Sequence, residues 1–88
     1  MFKVEVKKRA FKNLEKLTSS NLESVLELFR ALGDEPIPYM DFDVAKLAGR
    51  GDDYRVRVGS IRVVYSVDWA NKVITVNRIG SRGRVYKP

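Results

Sequence analysis

The sequence predicts an α+β domain over residues 1–88: an N-terminal strand, a two-helix hairpin, then an antiparallel β-meander, with the helices on one face of the sheet. Three observations carry this expectation. Apolar and charged residues alternate at the N-terminus, the apolar period turns helical from Lys8 to Gly33, and the alternation returns after residue 53, broken only by short turns. A chain of 88 residues, 44% apolar and 32% charged, has room for one small core.

Phe2, Val4 and Val6 alternate with Lys3, Glu5 and Lys7, which places the first strand at residues 2–7. Ala10, Phe11, Leu14 and Leu17 then fall on one helical stripe. Thr18, Ser19, Ser20 and Asn21 break that helix and offer caps for a second. In the second helix Leu22, Val25, Leu26, Phe29 and Leu32 repeat the stripe up to a stop at Gly33. Residues 34–43 hold Pro36, Pro38 and several acids and read as a surface connection, which Ile37, Tyr39, Met40 and Phe42 pin down. The meander follows, with strands at 54–58, 61–67 and 72–79, a two-residue Gly59-Ser60 turn and a short tail strand at 84–87. Alternation puts Tyr54, Val56, Val58, Ile61, Val63 and Tyr65 toward the helices, and leaves Arg55, Arg57 and Arg62 on an open face beside Val64 and Ser66.

Composition narrows the chemistry. The chain has no Cys and no His, so disulfides, thiolate catalysis, the usual zinc ligand sets and His-dependent triads are excluded. No stretch approaches the roughly 18 apolar residues of a membrane span, and a cytoplasmic protein without membrane contact is expected. Charge is divided unevenly. Residues 1–53 hold 9 basic and 10 acidic side chains, whereas residues 54–88 hold 8 basic and 1 acidic. Six of those eight are Arg, at 55, 57, 62, 78, 82 and 84, and guanidinium suits bidentate phosphate contacts. Such a field draws a polyanion. Paired acids such as Asp52-Asp53, or Asp41 and Asp43, read as solvated loop charges. Tyr54 and Tyr65 read as core, and Trp69 as packing over its own hairpin.

The order of Lys46-Leu47-Ala48-Gly49, Tyr54-Arg55-Val56-Arg57-Val58-Gly59, Arg62-Val63-Val64-Tyr65 and Arg78-Ile79-Gly80-Ser81-Arg82, closing on Val85-Tyr86, resembles the RelE branch of the RelE/ParE toxin superfamily across essentially the whole chain. The resemblance implies a sheet of the microbial-RNase type. It also implies a type II toxin that enters the ribosomal A site, contacts rRNA and mRNA there, cleaves the mRNA by 2′-hydroxyl attack, and is restrained by a cognate antitoxin. Neither a metal nor another cofactor is required. Carried over by position, the catalytic set is Arg55, Arg57, Arg62, Arg82 and Tyr86, and Lys46, Arg78, Arg84 and Lys87 are the further RNA-binding cations. A ParE-like gyrase-binding toxin, or a catalytically weakened basic binding domain of the same fold, is the alternative.

Two positions depart from the family pattern. Relatives often carry Lys where Arg55 and Arg57 stand, and Arg cannot shed a proton at ordinary pH. The general base is therefore open between Tyr86 and no discrete protein base, with water or an rRNA group taking the proton. Relatives also commonly have His or Lys at Ser81, where this chain has no titrating group.

Overall fold

The computed structural model describes residues 1–49 and 51–81. Its elements are β1 (Lys3–Val6), α1 (Lys8–Glu15), α2 (Ser19–Asp34), β2 (Asp43–Lys46), β3 (Asp53–Val58), β4 (Ile61–Asp68) and β5 (Val73–Ser81). The strands form one sheet in the order β1, β5, β4, β3, β2. From β2 to β5 neighbours are antiparallel, and β1 completes a mixed sheet by lying parallel to β5 with Lys3 opposite Val73. This is the expected α+β class. The tail strand expected at 84–87 lies outside the described residues.

The helix hairpin forms where the apolar period predicts it, with shifted limits. Thr18 caps α2, its Oγ1 accepting the Asn21 N–H at 3.2 Å, which satisfies a donor with no partner inside the helix. Gly33 does not stop α2. The helix continues to Asp34, and the Gly33 carbonyl accepts the Phe2 N–H at 2.7 Å, tying the helix end to the start of β1. The buried stripe of α2 is Val25, Leu28 and Leu32, whereas Leu26 is 39% exposed and Phe11 of α1 is 51% exposed. Spacings of three and four residues keep Val25, Leu28 and Leu32 on one side, and Leu26 is turned about 100° from Val25.

Residues 34–43 are not only a surface connection. Pro36 and Pro38 are buried, Ile37 and Phe42 pack against the core, and the Tyr65 hydroxyl donates to the Pro36 carbonyl at 2.7 Å. The segment leads into β2, a strand that the sequence pattern did not predict. β2 forms because the outer edge of β3 presents unpaired backbone groups, and its Val44 adds a residue that packs on the core.

The core lies between the helices and one sheet face. Val56, Val63, Tyr65, Ile74 and Val76 meet Ala10, Val25, Leu28 and Leu32, all fully buried. Tyr54 stacks on Tyr65 with ring centroids 5.7 Å apart. Burial pushes the Tyr65 hydroxyl well above the ordinary tyrosine pKa, with Tyr54 and Tyr39 adding to the shift, so it stays a hydrogen-bond donor to Pro36. Two local features set the registers that matter below. Gly59 takes φ +60° in the two-residue turn, a conformation glycine adopts without steric cost, and the turn sets Val58 opposite Ile61. A bulge between β4 and β5 pairs Tyr65 with Val76 but Val64 with Arg78, so Asn77 is the extra residue.

Candidate functional site

The sheet face away from the helices is built in rows by these registers. One row runs from Asp43 on β2 through Arg57 on β3 and Arg62 on β4 to Gly80 on β5. The next runs Ala45, Arg55, Val64, Arg78. Four guanidiniums therefore share two adjacent rows. Arg57 and Arg62 stand directly opposite one another, an arrangement of like charges that disfavours the strand pair unless an anion lies nearby. Val64 belongs to this face by alternation yet is only 8% exposed.

Asp43 brings a carboxylate to this cluster. Its Oδ1 lies 3.7 Å from Arg55 Nη2 and its Oδ2 lies 3.6 Å from Arg57 Nε. The expectation of a solvated loop acid is corrected here: β2 pairing carries Asp43 onto the arginine row. Both separations exceed hydrogen-bond length, so these are ion pairs held at a distance. The Arg55 side chain is 17% exposed, and its Nε is buried without a hydrogen-bond partner. Farther along the face, Asn77 Nδ2 donates to Ser66 Oγ at 2.7 Å, and Ser66 Oγ donates to Asp53 Oδ1 at 2.6 Å. That polar line closes one end of the floor, and Asp53, read from sequence as a solvated loop acid, is part of it.

Beside the C-terminal half of β5, α1 takes over from β1 as neighbour, and Asn13 Nδ2 donates to the Ile79 carbonyl at 2.8 Å. A cleft of about 390 Å³ opens there, with Arg9, Lys16 and Arg78 as its charged lining and Ser81 at its rim. No acid lines it among the described residues.

Arg55, Arg57 and Arg62 thus come together as expected, and Arg78 joins them in the next row. Lys46 does not: it alternates with Ala45 and so shares the side of Val44, which packs on the core. Arg82, Arg84, Tyr86 and Lys87 lie outside the described residues. Tyr54 and Tyr65 are core, as read from the sequence. Trp69 packs edge-on against Phe2 at 5.6 Å, across to the residue before β1, where its own hairpin was expected. Asp43 was missed as a site residue. The signal available was the short alternation Asp43-Val44-Ala45-Lys46, whose one strong strand former is Val44.

A helix hairpin on one face of a mixed sheet, with arginines gathered on the other, defines a small toxin of the RelE/ParE superfamily. The chain belongs to the family described as the ParE toxin of type II toxin–antitoxin systems, parDE, whose model matches residues 4–86. Several similar proteins carry RelE names. The RelE1 toxin candidate of Methanocaldococcus jannaschii is 42% identical over 86 residues, covering 98% of this chain and 96% of that protein. A chain of the archaeal RelE–RelB complex of Pyrococcus horikoshii superposes with a TM-score of 0.85 at 41% identity, over 94% of this chain and 97% of its own. A chain of the intact E. coli RelBE toxin–antitoxin complex gives 0.80 at 26% identity, over 96% and 100%. The chain is a RelE-like toxin of a type II system. Among the described residues no helix is long and apolar enough to cross a membrane.

Proposed function

We propose that this toxin is a ribosome-dependent mRNA endonuclease that cleaves in the A site, and that a cognate antitoxin holds it inactive. The observation that carries the reading is the cross-strand pair Arg57 and Arg62 with Arg55 in the adjoining row. Two guanidiniums facing each other on an open sheet face are stabilised by an anion between them, and a phosphodiester has the charge and the oxygen geometry to bridge them. The cationic cleft at the end of β5 offers room for a flanking nucleotide.

In the reaction the 2′-hydroxyl oxygen attacks the adjacent phosphorus and forms a cyclic phosphate as the bond to the 5′-oxygen breaks. The hydroxyl proton leaves to a base, and the departing 5′-oxygen gains a proton. Arg55 and Arg62 hold the non-bridging oxygens, where charge grows in the transition state, and Arg57 acts as a fixed positive charge in the same row. On the resemblance, Arg82 serves the leaving-group side and Tyr86 positions the nucleotide. Its phenol and a base outside the protein are the two routes for the proton. No step calls for a metal. The antitoxin is inferred from the relatives, since the P. horikoshii and E. coli chains come from RelE–RelB and RelBE complexes. The gyrase-directed alternative gains no support from relatives named as RelE.

Mapping 5′ ends of mRNA on programmed ribosomes tests the reading. The parent should produce cuts confined to the A-site codon, and Arg62→Ala should lose them while melting no lower than the parent. Growth inhibition without any such cuts would refute it.

A further inference from the structure

We propose that Asp43 is a positioning residue of the phosphate site: its carboxylate holds Arg55 and Arg57 in place over the open sheet face before RNA arrives, and goes on steadying them as they engage the scissile phosphate. The inference rests on the endonuclease reading for its kinetic arm and on the sheet geometry for its binding arm.

The row Asp43, Arg57, Arg62 runs anion, cation, cation across three strands. One carboxylate straddles two guanidiniums at 3.6 and 3.7 Å and hydrogen-bonds to neither, whereas an ion pair built for stability closes to about 2.8 Å and is commonly bidentate. Asp43 is 55% exposed, so water and salt weaken its hold further. Arg55 is the opposite case. Its side chain is mostly buried, its Nε has no hydrogen-bond partner, and the protein therefore does not fully satisfy it. The buried Nε faces no incoming ligand, and it is at Nη2, held among the described residues only by a carboxylate 3.7 Å away, that the guanidinium is poised for a second anion. Asp43 approaches Arg57 most closely at Nε, the stem side of the guanidinium, which leaves the terminal edge to turn toward Arg62 and a phosphate between them.

An acid on the edge of a polyanion site is costly to substrate binding, and that cost distinguishes a positioning role from a purely attractive one. Without Asp43 the arginines bind RNA at least as well but wander, and the transition state loses alignment. Asp43→Asn keeps the shape and removes the charge, and Asp43→Glu keeps the charge.

The experiment uses the full-length chain and two probes: programmed ribosomes for single-turnover cleavage, and a short RNA with a 2′-deoxy sugar at the cut position for binding across a salt series. Asp43→Asn should bind the oligonucleotide as tightly as the parent or more so, with a log–log salt slope steeper by about 0.7, as for one more phosphate neutralised on a single strand. Its cleavage rate at saturating ribosomes should fall at least about tenfold, and Asp43→Glu should recover most of that loss. An Asp43→Asn protein that melts lower but keeps the parent's rate and salt slope would make Asp43 a structural ion pair and overturn the proposal. A faster rate at saturation would make it a mere competitor of substrate and also overturn it. If the parent itself cuts nothing, the endonuclease reading fails, while an altered salt slope in Asp43→Asn would still place the carboxylate at an anion site.

Discussion

Replacing Tyr65 by Phe removes one oxygen from the centre of the molecule, and its cost can be worked from the contacts around it. Tyr65 is fully buried, and its hydroxyl donates at 2.7 Å to the carbonyl of Pro36, which is itself buried. Phe leaves that carbonyl without its donor, and an unmet buried acceptor costs about 1–3 kcal/mol. For a chain of 88 residues the unfolding entropy is about 0.18 kcal/mol/K, so the melting temperature should fall by roughly 6–17 °C. A second signature lies at alkaline pH. Burial raises the folded pKa of Tyr65 above its ordinary 10.0, so its contribution is complete below pH 10 and is lost as pH climbs toward the folded value, by about 1.4 kcal/mol per pH unit. Tyr65→Phe should flatten that alkaline limb. Thermal melts by circular dichroism at neutral pH, and urea titrations between pH 9 and 11, read both effects. Because Pro36 lies in the segment leading to β2, the variant should also loosen Asp43 and show faster hydrogen exchange at Val44 and Ala45. A melting temperature and an alkaline limb both equal to the parent's would show that the Pro36 carbonyl is satisfied some other way, and the argument for Tyr65 as the anchor of this segment would fall.

Leu28→Ala opens a cavity under α2 at a fully buried position and should cost about 2–5 kcal/mol, enough to leave the isolated toxin partly unfolded in a urea titration. Arg57→Lys should keep substantial cleavage on programmed ribosomes, because a cation remains opposite Arg62, whereas Arg57→Ala should lose phosphate binding; a Lys variant far slower than the Ala variant would sink the fixed-charge role. The antitoxin complex should weaken as salt is raised, because residues 54–88 carry 8 basic side chains against 1 acidic, and an affinity constant across 0.1–1 M salt, on the order of a threefold change in screening length, would point to an apolar interface.

The sequence made the arginine floor legible because period-two alternation assigns every residue of a half-buried strand to a face, and Tyr54, Val56 and Val58 leave Arg55 and Arg57 only the other side. The helices were legible for the same kind of reason, though the inward set of α2 was not: the stripe read from sequence included Leu26, and packing chose Leu28. The strand β2 escaped because four residues with one β-branched side chain carry almost no propensity. What makes them a strand is the free edge of β3.

Composition and pattern by themselves therefore determined the class of fold, the face bearing the arginines and the absence of His and Cys chemistry, since each depends on local period or on residue type alone. Only the tertiary structure decided which charges meet. Asp43 and Arg57 are fourteen positions apart in the chain, and their encounter depends on β2 docking in one register; a slip by one residue would turn Asp43 to the helix side and bring Val44 onto the floor. The bulge at Asn77 likewise sets Arg78 beside Val64 in the row of Arg55, which strict alternation along β5 does not foretell. Register is a property of pairs of strands, fixed by the core they jointly bury, and a single stretch of sequence does not contain it.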